Sequence, residues 1–216
     1  MREKVIQCIL DKKIIAIVRG MEEQVILPLA EAFLAGGVGM MEVTFNQSRP
    51  DSFEATAKSI AALRSAFGER MLAGAGTVIT TAQLELAKKA GALYIVSPNA
   101  DPEIIKRTRE LGLVSLPGAT TPSECVVAHN AGADFIKLFP ASDLGSNYLK
   151  AIKAPLSHIR FLAVGGVNEK NIAEFLRAGA DGAGVGGNLV NKEWIAAGEF
   201  DKITETAKAL VRAAMI

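Results

Sequence analysis

The sequence predicts an α/β chain folded as a single (β/α)8 TIM barrel over residues 1–216, with an extra helix at the N-terminus. Three observations predict it. Short runs rich in β-branched residues alternate with longer segments of helical period, the pattern of parallel βαβ units. Eight such runs share 216 residues, 27 to each unit, close to the minimum for a strand, a crossover helix and two loops. No linker or low-complexity run divides the chain, and two domains would each hold too few strands. An open doubly wound sheet is the rival, but the first strand–helix turn, Val18-Arg19-Gly20-Met21, lacks the glycine-rich phosphate turn of that fold.

Taken in order, the chain starts with Met-Arg-Glu-Lys-Val-Ile-Gln-Cys, charged and helix-forming, without the long apolar region of a signal peptide. Strands are expected at 14–18, 40–45, 71–75, 93–97, 113–116, 135–139, 160–164 and 183–186. Amphipathic helices are expected at 24–34, 52–67, 81–89 and 171–177, among others. Thr80-Thr81-Ala82-Gln83 and Thr121-Pro122-Ser123-Glu124 read as capping boxes, the second with Pro at the first helical position. Asp101 and Asn168 are further cap candidates. Gly37, Gly91, Gly112, Gly132 and Gly179 each precede a strand, as glycines ending a helix do.

Composition narrows the chemistry. Twenty-four Lys and Arg against 23 Asp and Glu leave a net charge of +1, too little for a field that holds nucleic acid by its backbone. An anionic ligand must be held locally. Two cysteines, Cys8 and Cys125, give neither a disulfide framework nor a zinc knuckle, and His129 and His158 lie in no metal-binding spacing, so no metal or cofactor is expected. No apolar run approaches a membrane span, and the expectation is a cytoplasmic protein with no membrane or nucleic-acid partner.

A barrel gathers chemistry at the C-terminal ends of its strands. Arg19 ends the first predicted strand, Glu42 and Thr44 lie in the second, Thr77 follows the third, and Pro98 follows the fourth. Lys137 stands in Phe135-Ile136-Lys137-Leu138-Phe139-Pro140, flanked by bulky apolar residues. Facing inward, its ammonium would be desolvated and its pKa depressed, giving the neutral amine that attacks a ketone. Facing outward, it would only carry its head to water, and the residues alone leave both readings open. Glu42 lies in another apolar run, where a raised pKa suits proton shuttling; it would serve equally as a structural ion-pair partner of Arg19 or Lys137. Gly165-Gly166 and Gly186-Gly187, followed by Asn168 and Asn188, fall after the last two strands, where many barrels hold phosphate on backbone N–H groups. Cys125, the histidines, Trp194 and Met215 read as packing or surface residues.

These motifs resemble the class I 2-keto-3-deoxy-6-phosphogluconate / 4-hydroxy-2-oxoglutarate aldolase family. The match runs through Ile15-Ala16-Ile17-Val18-Arg19, Glu42-Val43-Thr44-Phe45, Gly74-Ala75-Gly76-Thr77-Val78, Ser97-Pro98, Pro117-Gly118, the Lys137 segment, Gly165-Gly166-Val167 and Val185-Gly186-Gly187. The resemblance implies a (β/α)8 homotrimer that cleaves a phosphorylated 2-keto-3-deoxy acid to pyruvate and glyceraldehyde 3-phosphate without a metal. It implies Lys137 as the Schiff-base residue and Glu42 as the proton carrier. Thr77 and Pro98 would line the pyruvyl carboxylate, with Arg19 near the site, and Gly165, Gly166, Gly186 and Gly187 would hold the phosphate, Asn188 beside them. Phe139, Asn46 and Val164 join the expected substrate wall.

Three positions depart from the commoner family pattern. Asn46 stands where many members have arginine, Val164 where many have threonine, and Asn188 where the loop often has serine. Asn46, Val164 and the stretch from Ala141 to Tyr148 are similar to the 2-keto-3-deoxy-6-phosphogalactonate branch. Losing a hydroxyl at Val164 predicts looser choice at substrate C4. Three rival functions are a non-covalent sugar-phosphate epimerase using Glu42 as base, a non-catalytic phosphosugar sensor, and cleavage of unphosphorylated 4-hydroxy-2-oxoglutarate. Neither of the first two needs Lys137.

Overall fold

The computed structural model describes residues 1–215. Its elements follow the predicted alternation: α1 (Arg2–Lys12), β1 (Ile14–Arg19), α2 (Glu23–Ala35), β2 (Met40–Thr44), a 3-10 turn (Pro50–Ser52), α3 (Phe53–Phe67), β3 (Leu72–Gly76), α4 (Thr81–Lys89), β4 (Tyr94–Val96), α5 (Pro102–Glu110), β5 (Val114–Leu116), β6 (Gly118–Ala119) and α6 (Pro122–Ala131). Then come β7 (Ile136–Leu138), α7 (Ala141–Leu144), α8 (Ser146–Lys153), β8 (Phe161–Val164), α9 (Ile172–Arg177), β9 (Gly182–Val185), α10 (Lys192–Ala196) and α11 (Phe200–Ala214).

Every strand pair is parallel, in the order β5-β4-β3-β2-β1-β9-β8-β7-β6. The two ends of that order are neighbours in the chain, separated only by Pro117. Proline has no N–H for a ladder, which interrupts the strand there. The backbone still bridges the gap: Lys137 N–H donates to Pro117 O at 2.8 Å and Asp134 N–H to Ser115 O at 3.0 Å. The sheet is therefore barrel-like and nearly closed.

Side chains alternate between two layers, as strand geometry requires. Ile15, Met40, Leu72, Tyr94, Val96, Val114, Leu116 and Leu162 pack inside the sheet, and Ile14, Ala16, Met41, Val43, Ala73 and Ile136 pack outward under the helices. Val5, Ile6 and Ile9 of α1 join the inner cluster, so α1 plugs the N-terminal end of the barrel. Asp134 ties that plug down: its carboxylate accepts from Arg2, from Arg109 at 2.9 Å and from Ser115 N–H at 2.9 Å.

Local signals hold in most places. All eight expected strands are present within a residue or two of their predicted ends, and the five helix-ending glycines all have positive φ. The Thr121 capping box is complete, whereas Thr80 makes only half of one. Gln83 offers its carbonyl oxygen to Ile79 N–H instead and donates to Gln47. Asn168 is not a helix cap: α9 starts later, after Asn171, and Asn168 turns its own loop by accepting from Lys170 N–H at 2.9 Å.

Candidate active site

Lys137 and Glu42 both point into the barrel interior, within reach of each other's charge, because each takes an inward place on its strand. On β2 the inward residues are Met40, Glu42 and Thr44; on β7, flanked by outward Ile136 and Leu138, it is Lys137. Glu42 is 2% exposed and Lys137 6%. The inward reading of Lys137 is the one the fold adopts. Its Nζ stands 4.8 Å from the ring centre of Phe139, a cation–π distance that holds the head at the C-terminal end of the sheet.

Room for the Glu42 carboxylate comes from β3. Glu42 is registered against Gly74 and Thr44 against Gly76. The carboxylate leans up one level, over Gly76, where a Cβ would fall 1.8 Å from Oε1. Below it the Tyr94 ring fills the space over Gly74, where a Cβ would meet the ring at 2.2 Å. The two glycines are thus the price of placing one carboxylate and one aromatic ring in the barrel interior.

Burial controls the charges. Desolvation pushes the Glu42 carboxyl up from its ordinary value, with the Lys137 and Arg19 charges partly opposing it. Desolvation also pulls the Lys137 amine down, opposed by Glu42 and reinforced by Arg19. The pair is a carboxyl that holds a proton more readily than usual and an amine that releases one more readily. That combination suits a nucleophilic amine with an adjacent proton carrier.

Above the pair opens a cavity of about 740 Å³. Of the residues predicted from sequence, Arg19, Asn46, Lys137, Phe139, Val164, Gly165, Gly166, Gly186, Gly187 and Asn188 line it. Gly165 and Gly166 have φ of 97° and 72°, a conformation that glycine adopts without strain. Glu42 lies buried beneath the cavity rather than in its wall. Thr77, with φ 56°, and Pro98 stand at the same end of the barrel, just after β3 and β4, but outside the cavity wall. Gln47 Nε2 donates to Thr77 O at 2.7 Å, fixing that loop. Ile17, Gly20, Val167, Gly184, Val190 and Lys192 complete the wall and were not singled out from sequence. Lys192 was the consequential omission; its place two residues past Val190 and beside the capping residue Asn191 is the signal that could have found it.

The lining carries Arg19, Lys137 and Lys192 and no carboxylate, a local positive field on a nearly neutral chain. Among the described residues no cluster of three or more His, Cys, Asp or Glu is placed to hold a metal ion, and no helix is long and apolar enough to cross a membrane.

The KDPG and KHG aldolase family model matches residues 5–206. The chain is 35% identical over 201 residues to the 2-dehydro-3-deoxy-6-phosphogalactonate aldolase of Escherichia coli, covering 93% of both chains. It is 31% identical over 204 residues to the KHG/KDPG aldolase of the same organism, covering 94% of this chain and 91% of that one. Among solved structures, the KDPG aldolase of Legionella pneumophila, with pyruvate captured as a covalent carbinolamine, superposes with a TM-score of 0.85 at 30% identity, covering 95% of this chain and 97% of that one.

Proposed function

This chain belongs to the KDPG and KHG aldolase family, and we propose that it works through a Schiff base on Lys137, cleaving 2-keto-3-deoxy-6-phosphogluconate to pyruvate and glyceraldehyde 3-phosphate. One observation carries the proposal: a lysine with a depressed pKa, 6% exposed, lines a carboxylate-free cavity and feels the charge of a glutamate buried in the same barrel interior.

The steps follow from those groups. The neutral Lys137 amine adds to the C2 ketone, forming a carbinolamine. Glu42 supplies the proton with which the hydroxyl leaves as water, and an iminium results. Glu42, now a carboxylate, takes the C4 hydroxyl proton; the C3–C4 bond breaks, its electrons flow into the iminium as an enamine, and the aldehyde departs. Protonation of the enamine at C3 and hydrolysis release pyruvate and restore the amine. The iminium is the electron sink throughout.

Arg19 lies close enough for its charge to act on both Lys137 and Glu42, and in this reading it faces the substrate's negative end. Thr77 and Pro98 border the pyruvyl carboxylate, Phe139 and Val164 wall the carbon chain, and Gly165, Gly166, Gly186 and Gly187, with Asn188, offer donors to the phosphate. A second substrate reading, 2-keto-3-deoxy-6-phosphogalactonate, is favoured by Asn46 and Val164 in the cavity wall. Cleavage of 4-hydroxy-2-oxoglutarate to pyruvate and glyoxylate uses the same chemistry. The reading takes 1–216 as one (β/α)8 domain, with β5 and β6 counted as one interrupted strand, and a cytoplasmic homotrimer as its working form.

Borohydride reduction in the presence of pyruvate, followed by peptide mapping, tests the proposal. The expected result is a pyruvyl adduct reduced onto Lys137. A chain left unmodified there would remove the Schiff base and return the epimerase reading with Glu42 as base.

A further inference from the structure

We propose that Lys192 is the specificity-determining cation of this site, meeting the distal phosphate above the glycine loops and setting the preference for phosphorylated over unphosphorylated substrates. The inference rests on the aldolase reading and deepens it.

The charges of the ligand and the cavity have to match. A phosphomonoester carries about two negative charges near neutral pH. The loops expected to cradle it contribute only neutral donors, since Gly165, Gly166, Gly186 and Gly187 have no side chains and Asn188 has no charge. Backbone N–H groups hold and orient an anion, and a formal positive charge adds to the separation of an anionic from a neutral ligand of the same shape. Only three cations line the cavity among the described residues. Lys137 must be neutral to react. Arg19 ends β1, and its charge reaches Lys137 and Glu42, which places it toward the reacting end. Lys192 is the remaining one.

Its setting suits that role. The Asn191 side chain accepts from Glu193 N–H and Trp194 N–H, fixing the start of α10 and hence the root of Lys192. Val190, 8% exposed, and Ile195, 7% exposed, anchor the backbone on either side. The lysine side chain itself is exposed at the cavity wall and makes no ion pair among the described residues, where ten others form. A compact ammonium on a flexible stem, with a fixed root, can follow a phosphate as the carbon chain shortens on cleavage.

Lys192→Met keeps the stem and removes the charge; Lys192→Arg keeps the charge. Both are assayed in the synthetic direction with pyruvate and either glyceraldehyde 3-phosphate or glyceraldehyde, and inorganic phosphate is tested as a competitive inhibitor. For Lys192→Met, the KM for glyceraldehyde 3-phosphate is expected to rise about five- to ten-fold and phosphate inhibition to weaken in step, the scale of one partly exposed charge-assisted hydrogen bond. Lys192→Arg is expected to stay within about two-fold of the wild type on both measures. The pyruvate concentration that half-saturates borohydride trapping is the control, because pyruvate has no phosphate. An unchanged KM for the phosphorylated aldehyde, or equal losses for both aldehydes, overturns the role of Lys192 while trapping at Lys137 persists. Failure of trapping in the wild type overturns the aldolase reading instead.

Discussion

Oε1 of Glu42 occupies the space that a Cβ on Gly76 would need, 1.8 Å from where that carbon would sit. The glycine on β3 is therefore part of how the carboxylate on β2 is aimed. Gly76→Ala is expected to fold, because a single methyl displaces one side chain, at a cost of about 1–3 kcal/mol from overpacking. Its kcat should fall about 10²-fold or more, close to the loss in Glu42→Gln, because the proton carrier is moved off its line. Urea unfolding and steady-state kinetics on the two variants test this. Wild-type turnover in a folded Gly76→Ala would mean the position of Glu42 is not what catalysis depends on.

The Glu42–Lys137 pair gives a pH prediction with a definite sign. Burial lowers the Lys137 pKa from 10.5, and the Glu42 charge partly restores it. Removing that charge in Glu42→Gln should lower the Lys137 pKa further. The rate of Lys137 carbamylation by cyanate, read by mass spectrometry across pH, reports the neutral amine without needing catalysis. Its midpoint should lie below 10.5 in the wild type and shift to lower pH in Glu42→Gln. A shift to higher pH would contradict the arrangement.

The same carboxyl has a linked effect on stability. Its folded pKa is raised above 4.5, so the folded state holds the proton more tightly than the unfolded chain. That contribution is fully present below pH 4.5 and is lost as pH rises through the folded pKa. Glutamine carries no such loss. The urea midpoint of Glu42→Gln should therefore gain on the wild type over that window, and a gap independent of pH would argue that Glu42 is unperturbed.

How much of this was legible beforehand depended on how local each cause is. α4 is legible to the residue at Thr81–Lys89 because a threonine cap and a closing glycine are written into its own segment. Lys137 and Glu42 were legible as charges inside apolar runs, although only the register of β7 and β2 settles that both point inward. The break at Pro117 and the two-residue β6 were not legible, since Gly118–Ala119 carries no strand propensity and pairs only because β7 lies beside it. Lys192 is not legible as a wall residue because only the pairing of β9 with β1 brings its segment to the cavity that Arg19 and Gly20 also line.

The plug at the barrel's N-terminal end predicts a separation of stability from chemistry. Ile9 of α1 is 0% exposed and packs in the inner cluster with Ile15, Met40 and Tyr94. Ile9→Ala should cost about 2–5 kcal/mol, the range for a buried large-to-small change. The cavity lies at the opposite end, so pyruvate trapping at Lys137 in the folded fraction should keep its wild-type saturation. Loss of trapping at temperatures where circular dichroism still reports a folded chain would couple the plug to the site.

The aldolase reading makes substrate choice at C4 depend on Val164, 6% exposed, and on Asn46 at the same cavity. A hydroxyl aimed at the C4 hydroxyl would reject the wrong epimer strongly, because a buried polar group is left unpaired; such sites discriminate by about 10⁴-fold. An apolar wall has nothing to leave unpaired, and it discriminates by shape alone, about 10- to 200-fold at most. The Asn46 side chain, exposed and accepting from Ser48 N–H at 3.1 Å, is already turned partly to its own loop. The expected kcat/KM values for the gluconate- and galactonate-type substrates are therefore comparable, within about 10²-fold. Val164→Thr supplies the missing hydroxyl and should widen that ratio by about ten-fold or more, through the disfavoured epimer. A wild-type preference above about a thousandfold would show that another group in the cavity reads C4, and that Val164 is only wall.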